Sequence, residues 1–444
     1  MLAPEAALET EQPQTAEACR ALGHRLRKER RHEDALAAFE RAVALAPQMI
    51  AAAVDRADEL QVLGRNGDAI AAYRKVLAAD PLQHHCHRQL NHLLYRIGDD
   101  ASFLRSYDEA FAKLPNRPGL PLAKAGFLLQ TDRLDEAAAA FEIALQLMPD
   151  AIAPINGLAA TLARKGEYAR AVALHERAVK LAPQHVDTWN IYCETLLRAG
   201  DAAKARAAAE TAMPIAPLDQ GLIAMHSLAM RAQGDVRDEW LNDFDNLIQA
   251  FELEPPRSFT DMASFNAALN AALDARHTGR REFLSQSLRG GTQTVNDLFS
   301  DADALVESIR GKIHEAVAVY ITRLAADDGH PLRNRRRNDF AYAASWSSRL
   351  HDCGFHVNHV HPKGWISSVY YVAVPDAVED EWQKQGWLKF GEPGFDAHIA
   401  DPIRRTVKPK PGTLVLFPSY MWHGTVPFHS SQDRTTIAFD VVPK

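Results

Sequence analysis

The sequence predicts a multidomain chain: an N-terminal all-α repeat superhelix followed by a C-terminal strand domain of the jelly-roll (double-stranded β-helix) type. Prolines at positions 47, 81, 115, 149, 183 and 217 recur at one constant interval, with small and aromatic residues at fixed offsets before them. From about Phe340 the chain becomes short β-branched and aromatic runs broken by Gly, Pro and Asp, with no long amphipathic helix. A length of 444 residues accommodates two or three domains, each with a core.

In the repeat half, Ala35, Ala69, Phe103, Ala137, Ala171 and Ala205 stand twelve residues before the prolines. Phe39, Tyr73, Tyr107, Phe141, His175 and Ala209 stand eight before, and Ala42, Val76, Ala110, Ala144, Ala178 and Ala212 five before. Small, aromatic and small residues at these offsets make one helix face that packs closely on a neighbour. Gly64, Gly98, Gly166 and Gly200 recur in register where two helices of a unit must turn. One helical hairpin cannot bury its own apolar face, whereas stacked hairpins bury it and curve into a superhelix lined by their first helices.

The pattern resembles the tetratricopeptide repeat, whose period of about 34 residues the prolines keep without slippage. Six units cover residues 16 to 217, and Trp189, Tyr192 and Leu196 stand where that family places first-helix packing residues. Asn156 and Asn190, at equivalent positions, have two readings: contacts to a peptide backbone in the groove, or polar residues on a solvated face. His84, His85, Cys86 and His87 open a helix where neighbours point in different directions, so a solvated helix start is expected there and not a metal site.

Beyond Leu218 the pattern continues for about one helix. Trp240, Phe244, Leu247, Ile248 and Phe251 keep helical spacing, as in a cap, and Glu254-Pro255-Pro256-Arg257 ends it. Helical pieces follow, interrupted by Ser287 to Gln293, which reads as a loop, with an anion-cradling glycine loop as the alternative. Arg333 and Arg335 to Arg337 read as a solvated connector. The expected organisation is a disordered stretch over 1–15, a repeat array over 16–234, capping and linking helices over 235–335 and the jelly roll over 336–444.

Composition narrows the function classes. Hydrophobic content of 47% and charged content of 24% are ordinary for a soluble globular protein. A net charge of −7 and a pI near 6.3 argue against a broad nucleic-acid surface. Cys19, Cys86, Cys193 and Cys353 show no C-x-x-C spacing, so neither a disulfide framework nor a thiolate zinc site is expected. The first residues show no basic stretch followed by an apolar one, and no run is apolar enough to span a bilayer. A cytoplasmic protein without membrane or nucleic-acid partners is the expectation.

The chemistry concentrates in GFHVNHVHPKGWISSVYYVAV, Gly354 to Val374. His359 and His361 stand two apart in an alternating run, which puts both side chains on one face if the run is a strand. A Pro-Lys-Gly turn leads to a second strand, Trp365 to Val374; a third, Gly412 to Phe417, runs toward His423. The fourth, from Arg434 to Val442, opens on a cation. A close histidine pair, a distal histidine and a following arginine suit a non-haem iron site with a carboxylate co-substrate. His356 is expected on the opposite face. Trp365, Trp387, Phe390, Phe417 and Trp422 either wall such a pocket against water or pack in the core, the latter being the simpler account of each.

These residues, over roughly 340 to 444, resemble the iron(II)- and 2-oxoglutarate-dependent oxygenases, most nearly the prolyl-hydroxylase-like branch. The tandem arrangement also resembles a group of uncharacterised bacterial proteins. The resemblance implies His359, His361 and His423 as metal ligands and Arg434 as the group that holds the far carboxylate of 2-oxoglutarate. It further implies Thr436 and Tyr371 on the co-substrate, Arg349 at another co-substrate or substrate position, and Fe(II), 2-oxoglutarate and O2 as the reacting set. His361 departs from the pattern, which has Asp or Glu there. Either three histidines bind the metal, or His361 stays outside and water fills the third position. The implied activity is dioxygenase hydroxylation of a protein or peptide side chain recruited by the repeats. A non-catalytic repeat scaffold and a small-molecule oxygenase are the alternatives.

Overall fold

The structure, a computed structural model, describes residues 14–277, 282, 284, 286–294, 297–300 and 302–444. It divides into two compact units, one ending at Lys124 and one from Ala125 to Lys444. The stretch expected to be disordered lies outside the described residues except for Gln14 and Thr15, and the Thr15 hydroxyl caps the first helix by accepting from the Ala18 amide at 3.2 Å.

The first unit pairs α1 (Ala16–Lys28) with α2 (His32–Leu45), α3 (Ile50–Val62) with α4 (Asn66–Ala79), and α5 (His84–Ile97) with α6 (Arg105–Lys113). The recurring small and aromatic residues are its contact surface: Ala35, Phe39, Ala69 and Tyr73 are fully buried. A Cβ on Gly23 would lie 2.5 Å from the Phe39 ring, so glycine allows the close approach of α1 and α2. The stretch His84 to His87 does not converge. His85 bonds Asp58 at 2.8 Å, and His87 bonds the Ser106 hydroxyl and the Pro81 carbonyl. Cys86 and His87 are buried, correcting the expected solvated helix start.

Beyond α7 (Gly119–Gln130), the second unit continues the pattern with α8 (Leu134–Leu147), α9 (Ile152–Arg164), α10 (Tyr168–Leu181), α11 (Val186–Arg198), α12 (Ala202–Ala212) and α13 (Gln220–Ala232). Asn156 donates to the Thr188 hydroxyl at 2.8 Å and Asn190 to the Asp219 carboxylate at 3.0 Å, so each side chain reaches from one unit's first helix to the first helix of the next unit or its N-cap.

Residues 235–335 hold helices, including α14 (Arg237–Asn242), α15 (Phe244–Leu247), α16 (Met262–Asp274) and α17 (Ala304–Arg323). They also supply two strands, β1 (Gln249–Glu252) and β2 (Leu288–Gln293). The latter corrects the loop reading of Ser287 to Gln293: Leu288 pairs with His356 and Gln293 with Ser348, so strand pairing overrides the poor strand propensity of two glycines. The remaining strands are β3 (Phe340–His356), β4 (Ile366–Ala373), β5 (Leu388–Phe390), β6 (Arg405–Val407), β7 (Thr413–Pro418), β8 (His423–Thr425) and β9 (Arg434–Pro443).

They form two antiparallel sheets, one ordered β1-β7-β4-β9-β3-β2 and one β6-β5-β8. One face of the larger sheet packs on α16 and α17 through Phe265, Leu269, Ile313, Val317 and Tyr320. Buried polar tips in this core reach backbone carbonyls: Tyr320 to Leu247, Tyr420 to Leu241, and Trp365 to Leu332. No described helix is long and apolar enough to cross a membrane.

Candidate active site

His359 and His361 lie on the extended link between β3 and β4, not within a strand as expected from the alternation. An antiparallel bridge helps hold the link: the His359 amide donates to the His423 carbonyl at 2.9 Å and the His423 amide returns the bond at 3.1 Å, while the His361 amide donates to the Ser419 carbonyl at 2.9 Å. This bridge brings together histidines that stand far apart in the chain, with β4 to β7 between them. One nitrogen from each of His359, His361 and His423 lies within 4.8 Å of the others, and the Nε2 atoms of His359 and His361 are 3.1 Å apart.

Each Nδ1 is already engaged. His359 Nδ1 lies 2.8 Å from the Val357 carbonyl, His423 Nδ1 2.9 Å from the Met421 carbonyl, and His361 Nδ1 2.7 Å from an Asp440 carboxylate oxygen. A carbonyl or carboxylate only accepts, so each ring places its proton on Nδ1 and turns the Nε2 lone pair inward. Burial holds His359 down to about 3 and His423 well below the usual imidazole range, so both are neutral at neutral pH. Converging lone pairs at this separation repel unless a cation lies between them. Imidazole nitrogens suit iron, zinc, copper or nickel, so the residues present fit Fe(II).

Burial pushes the Asp440 carboxyl up, but His361 and the Ser367 hydroxyl, which donates at 2.6 Å, outweigh it and hold the group below its usual range. The negative charge missing at position 361 therefore stands one hydrogen bond behind it.

A cavity of about 920 Å³ opens on the three histidines. Alternate residues of β9 line it, namely Arg434, Thr436, Ala438 and Asp440, as strand periodicity requires. Arg434 is 1% exposed. Its guanidinium carbon lies 5.1 Å from the centre of the buried Tyr371 ring. Among the described residues neither Arg434 Nε nor the Tyr371 hydroxyl has a hydrogen-bond partner, and no carboxylate pairs with Arg434. Burial lowers the pKa of this guanidinium and raises that of the Tyr371 phenol. Thr436 is buried beside them, 3.5 Å from the Ser348 carbonyl.

Tyr371 meets Arg434 but does not line the cavity, and Arg349 does not line it either. Arg349 sits one residue after Ser348 and so faces away from the cavity, where it pairs with Asp274 and lies 3.9 Å from Asp433. Spacing along the chain does not reveal which side of β3 faces the histidines. His356 reverses another expectation, since it lines the cavity and bonds the Ser287 hydroxyl at 3.1 Å. Of the five aromatic residues considered as pocket walls, Phe417 alone lines the cavity, with its ring centre 4.6 Å from that of His423. Trp346, not singled out from the sequence, stacks on His361 at 5.8 Å. Asp440 was also missed, although its even offset from Arg434 on an alternating strand was a usable signal.

Residues 344–440 match the family model described as "Putative 2OG-Fe(II) oxygenase". Residues 16–49 and 162–226 match tetratricopeptide-repeat models, and residues 40–125 match a bacterial transcriptional activator domain. A comparison with curated proteins finds no match. Similar solved structures include a tetratricopeptide repeat protein from Parabacteroides merdae, at 14% identity and a TM-score of 0.40, covering 51% of this chain and 90% of that one. Yeast Tom70 is 22% identical with a TM-score of 0.38, covering 46% of this chain and 44% of its own. PilF of Pseudomonas aeruginosa is 18% identical with a TM-score of 0.34, covering 47% and 95%. The chain therefore carries tetratricopeptide repeats and, over residues 344–440, a C-terminal domain that matches the 2OG-Fe(II) oxygenase family model.

Proposed function

We propose that this chain is a cytoplasmic Fe(II)- and 2-oxoglutarate-dependent dioxygenase that hydroxylates a protein or peptide side chain recruited by its repeats. The observation that carries the reading is Arg434, a buried guanidinium with no carboxylate partner among the described residues, in the same cavity as three inward-facing imidazole nitrogens. An unpaired buried charge is costly, and a bidentate carboxylate is its best partner. The two antiparallel sheets are read as a double-stranded β-helix spanning 336–444, extended by β1 and β2, with repeats over 16–234 and linking helices between.

His359, His361 and His423 would hold the iron, and the inward Nε2 of His361 supports its reading as a ligand rather than an outer residue. Asp440 orients His361 and returns to the site the negative charge that a carboxylate ligand would bring. Arg434 takes the distal carboxylate of 2-oxoglutarate. Thr436 and Tyr371 offer hydroxyls beside it, and Trp346 and Phe417 keep water from the histidines. When bound, iron supplies the activation of O2, one oxygen atom entering succinate as 2-oxoglutarate loses carbon dioxide and the other entering a substrate C–H bond.

Succinate formation from 2-oxoglutarate by the Fe(II)-loaded protein in air tests this reading, with anaerobic dialysis of 2-oxoglutarate beside it. We expect slow turnover by the wild type and none by His423→Ala or Arg434→Ala. A wild type that binds neither iron nor 2-oxoglutarate would leave the non-catalytic scaffold.

A further inference from the structure

The rim of the cavity carries information that the iron site does not use. Two of its lining residues belong to the repeats: Gln130 at the end of α7 and Arg164 at the end of α9. They stand one repeat period apart, so they occupy the same position in successive units. Both are exposed, as are Gln286 and Lys363, whereas His423, Arg434 and Thr436 at the other extreme are buried. The repeat helix ends thus form part of the mouth, and the histidines and Arg434 form the floor.

The mouth is cationic. Arg164, Arg289 and Lys363 line it, and the sole acidic residue among the lining groups is Asp440, occupied by His361 and Ser367. Among the described residues Arg289 reaches only the Gln286 and Leu288 carbonyls, both at 2.7 Å. Lys363 has no described hydrogen-bond or ion-pair partner, and Arg164 donates to the Asp132 carboxylate at 2.6 Å and to the Leu129 carbonyl at 2.7 Å, both on its exposed side. This positive mouth belongs to a chain whose net charge is −7. A single-sign cluster around a concave opening concentrates ligands of opposite charge and speeds their capture.

We propose that the substrate segment entering this cavity is an acidic peptide, whose Asp or Glu side chains engage Arg164, Arg289 and Lys363 while the residue to be modified reaches the floor. This rests on the reading of the site as a 2-oxoglutarate-dependent oxygenase and adds the chemical class of its substrate. A peptide is favoured over a nucleic acid because the mouth is shared with peptide-sized repeat helix ends and the remainder of the chain repels a long polyanion.

Fluorescence anisotropy with the full-length protein tests the proposal. The probes are two labelled fifteen-residue peptides of matched sequence, one with Glu and one with Lys at alternate positions, and a single-stranded oligothymidine of equal charge to the acidic peptide. We expect the Glu peptide to bind, the Lys peptide to bind at least tenfold more weakly, and the preference to shrink as salt rises. Combined Arg164→Gln, Arg289→Gln and Lys363→Gln should weaken Glu-peptide binding by roughly tenfold, as three exposed charge pairs would. None of the three belongs to a hydrophobic core cluster, and an unchanged melting curve confirms that the variant is folded. Equal binding of the two peptides, an unaffected triple variant, or oligothymidine binding as tightly as the Glu peptide would overturn the proposal. Wild-type uptake of 2-oxoglutarate, measured on the same sample by anaerobic dialysis, separates the readings. Uptake without peptide discrimination sinks only the acidic-substrate inference, and no uptake sinks the oxygenase reading beneath it.

Discussion

At the scale of single residues, Asp440 connects a gap in the sequence motif to the site's electrostatics. Position 361 carries an imidazole where a carboxylate is the usual partner of two histidines, and Asp440 bonds that imidazole from behind at 2.7 Å and 2.8 Å. Asp440→Asn keeps the shape and removes the charge. It should weaken anaerobic Fe(II) binding ten- to a hundredfold, the usual cost of losing such a partner, with the melting curve little changed. Unchanged affinity in a competition titration would show that His361 needs no carboxylate. Arg434 and His423 were legible in the sequence because the motif specifies their order and spacing. Arg349 misled because spacing fixes position along a strand but not which face of that strand meets the site.

At the scale of elements, the repeat is a device for turning. The residues at positions 30, 64, 98, 132, 166, 200 and 234 all have φ between 60° and 81°. Five of these are glycines, while Arg30 and Asp132 accept the left-handed backbone without being glycine. The demand therefore belongs to the hairpin geometry, and glycine is its easiest answer. A Cβ on Gly166 would meet no atom within 4 Å, so Gly166→Ala isolates the backbone term. It should cost about 1 kcal/mol in chemical denaturation.

His175 occupies the aromatic position of its unit and is fully buried, with Nε2 3.1 Å from the Thr195 hydroxyl. Burial lowers its pKa to about 4. Its unfolded value is near 6.5, so below that pH the unfolded chain takes up a proton that the folded chain refuses until about 4. Stability is complete above pH 6.5 and falls as pH drops through that window. His175→Gln should remove about 2 kcal/mol of the difference in unfolding free energy between pH 7 and pH 5. An unchanged pH dependence in urea titrations would assign the acid sensitivity to other histidines with lowered pKa, such as the half-buried His277.

At the scale of the whole molecule, the last repeat helix does not stop at a boundary. Ile223, Ala224 and Met230 of α13 share one core with Leu241, Leu247, Ile248 and the strand residues Tyr370, Leu416 and Phe439. Arg231 adds hydrogen bonds to the Gly391 carbonyl at 2.8 Å and the Pro402 carbonyl at 3.0 Å. A chain starting at Pro256 loses these contacts and β1, which pairs with β7 from Gln249 opposite Leu416 to Glu252 opposite Thr413. It should fail to melt cooperatively, whereas a chain starting at Ala125 keeps its strands and core and should show one transition by circular dichroism. Cooperative melting of the shorter chain would show that the strand domain folds without the last repeat.

The sequence by itself determined the repeat period, the change from helices to strands and the identities of the three histidines and Arg434. Each of these is written in local spacing, and local spacing follows from helix and strand periodicity. Only the tertiary structure decided that Gly290 and Gly291 belong to a strand, that Arg349 turns away from the site, that Asp440 stands behind His361 and that Gln130 and Arg164 reach the cavity. Those facts depend on which segments meet across long stretches of chain, and that is settled by packing and backbone pairing rather than by the neighbours of any one residue.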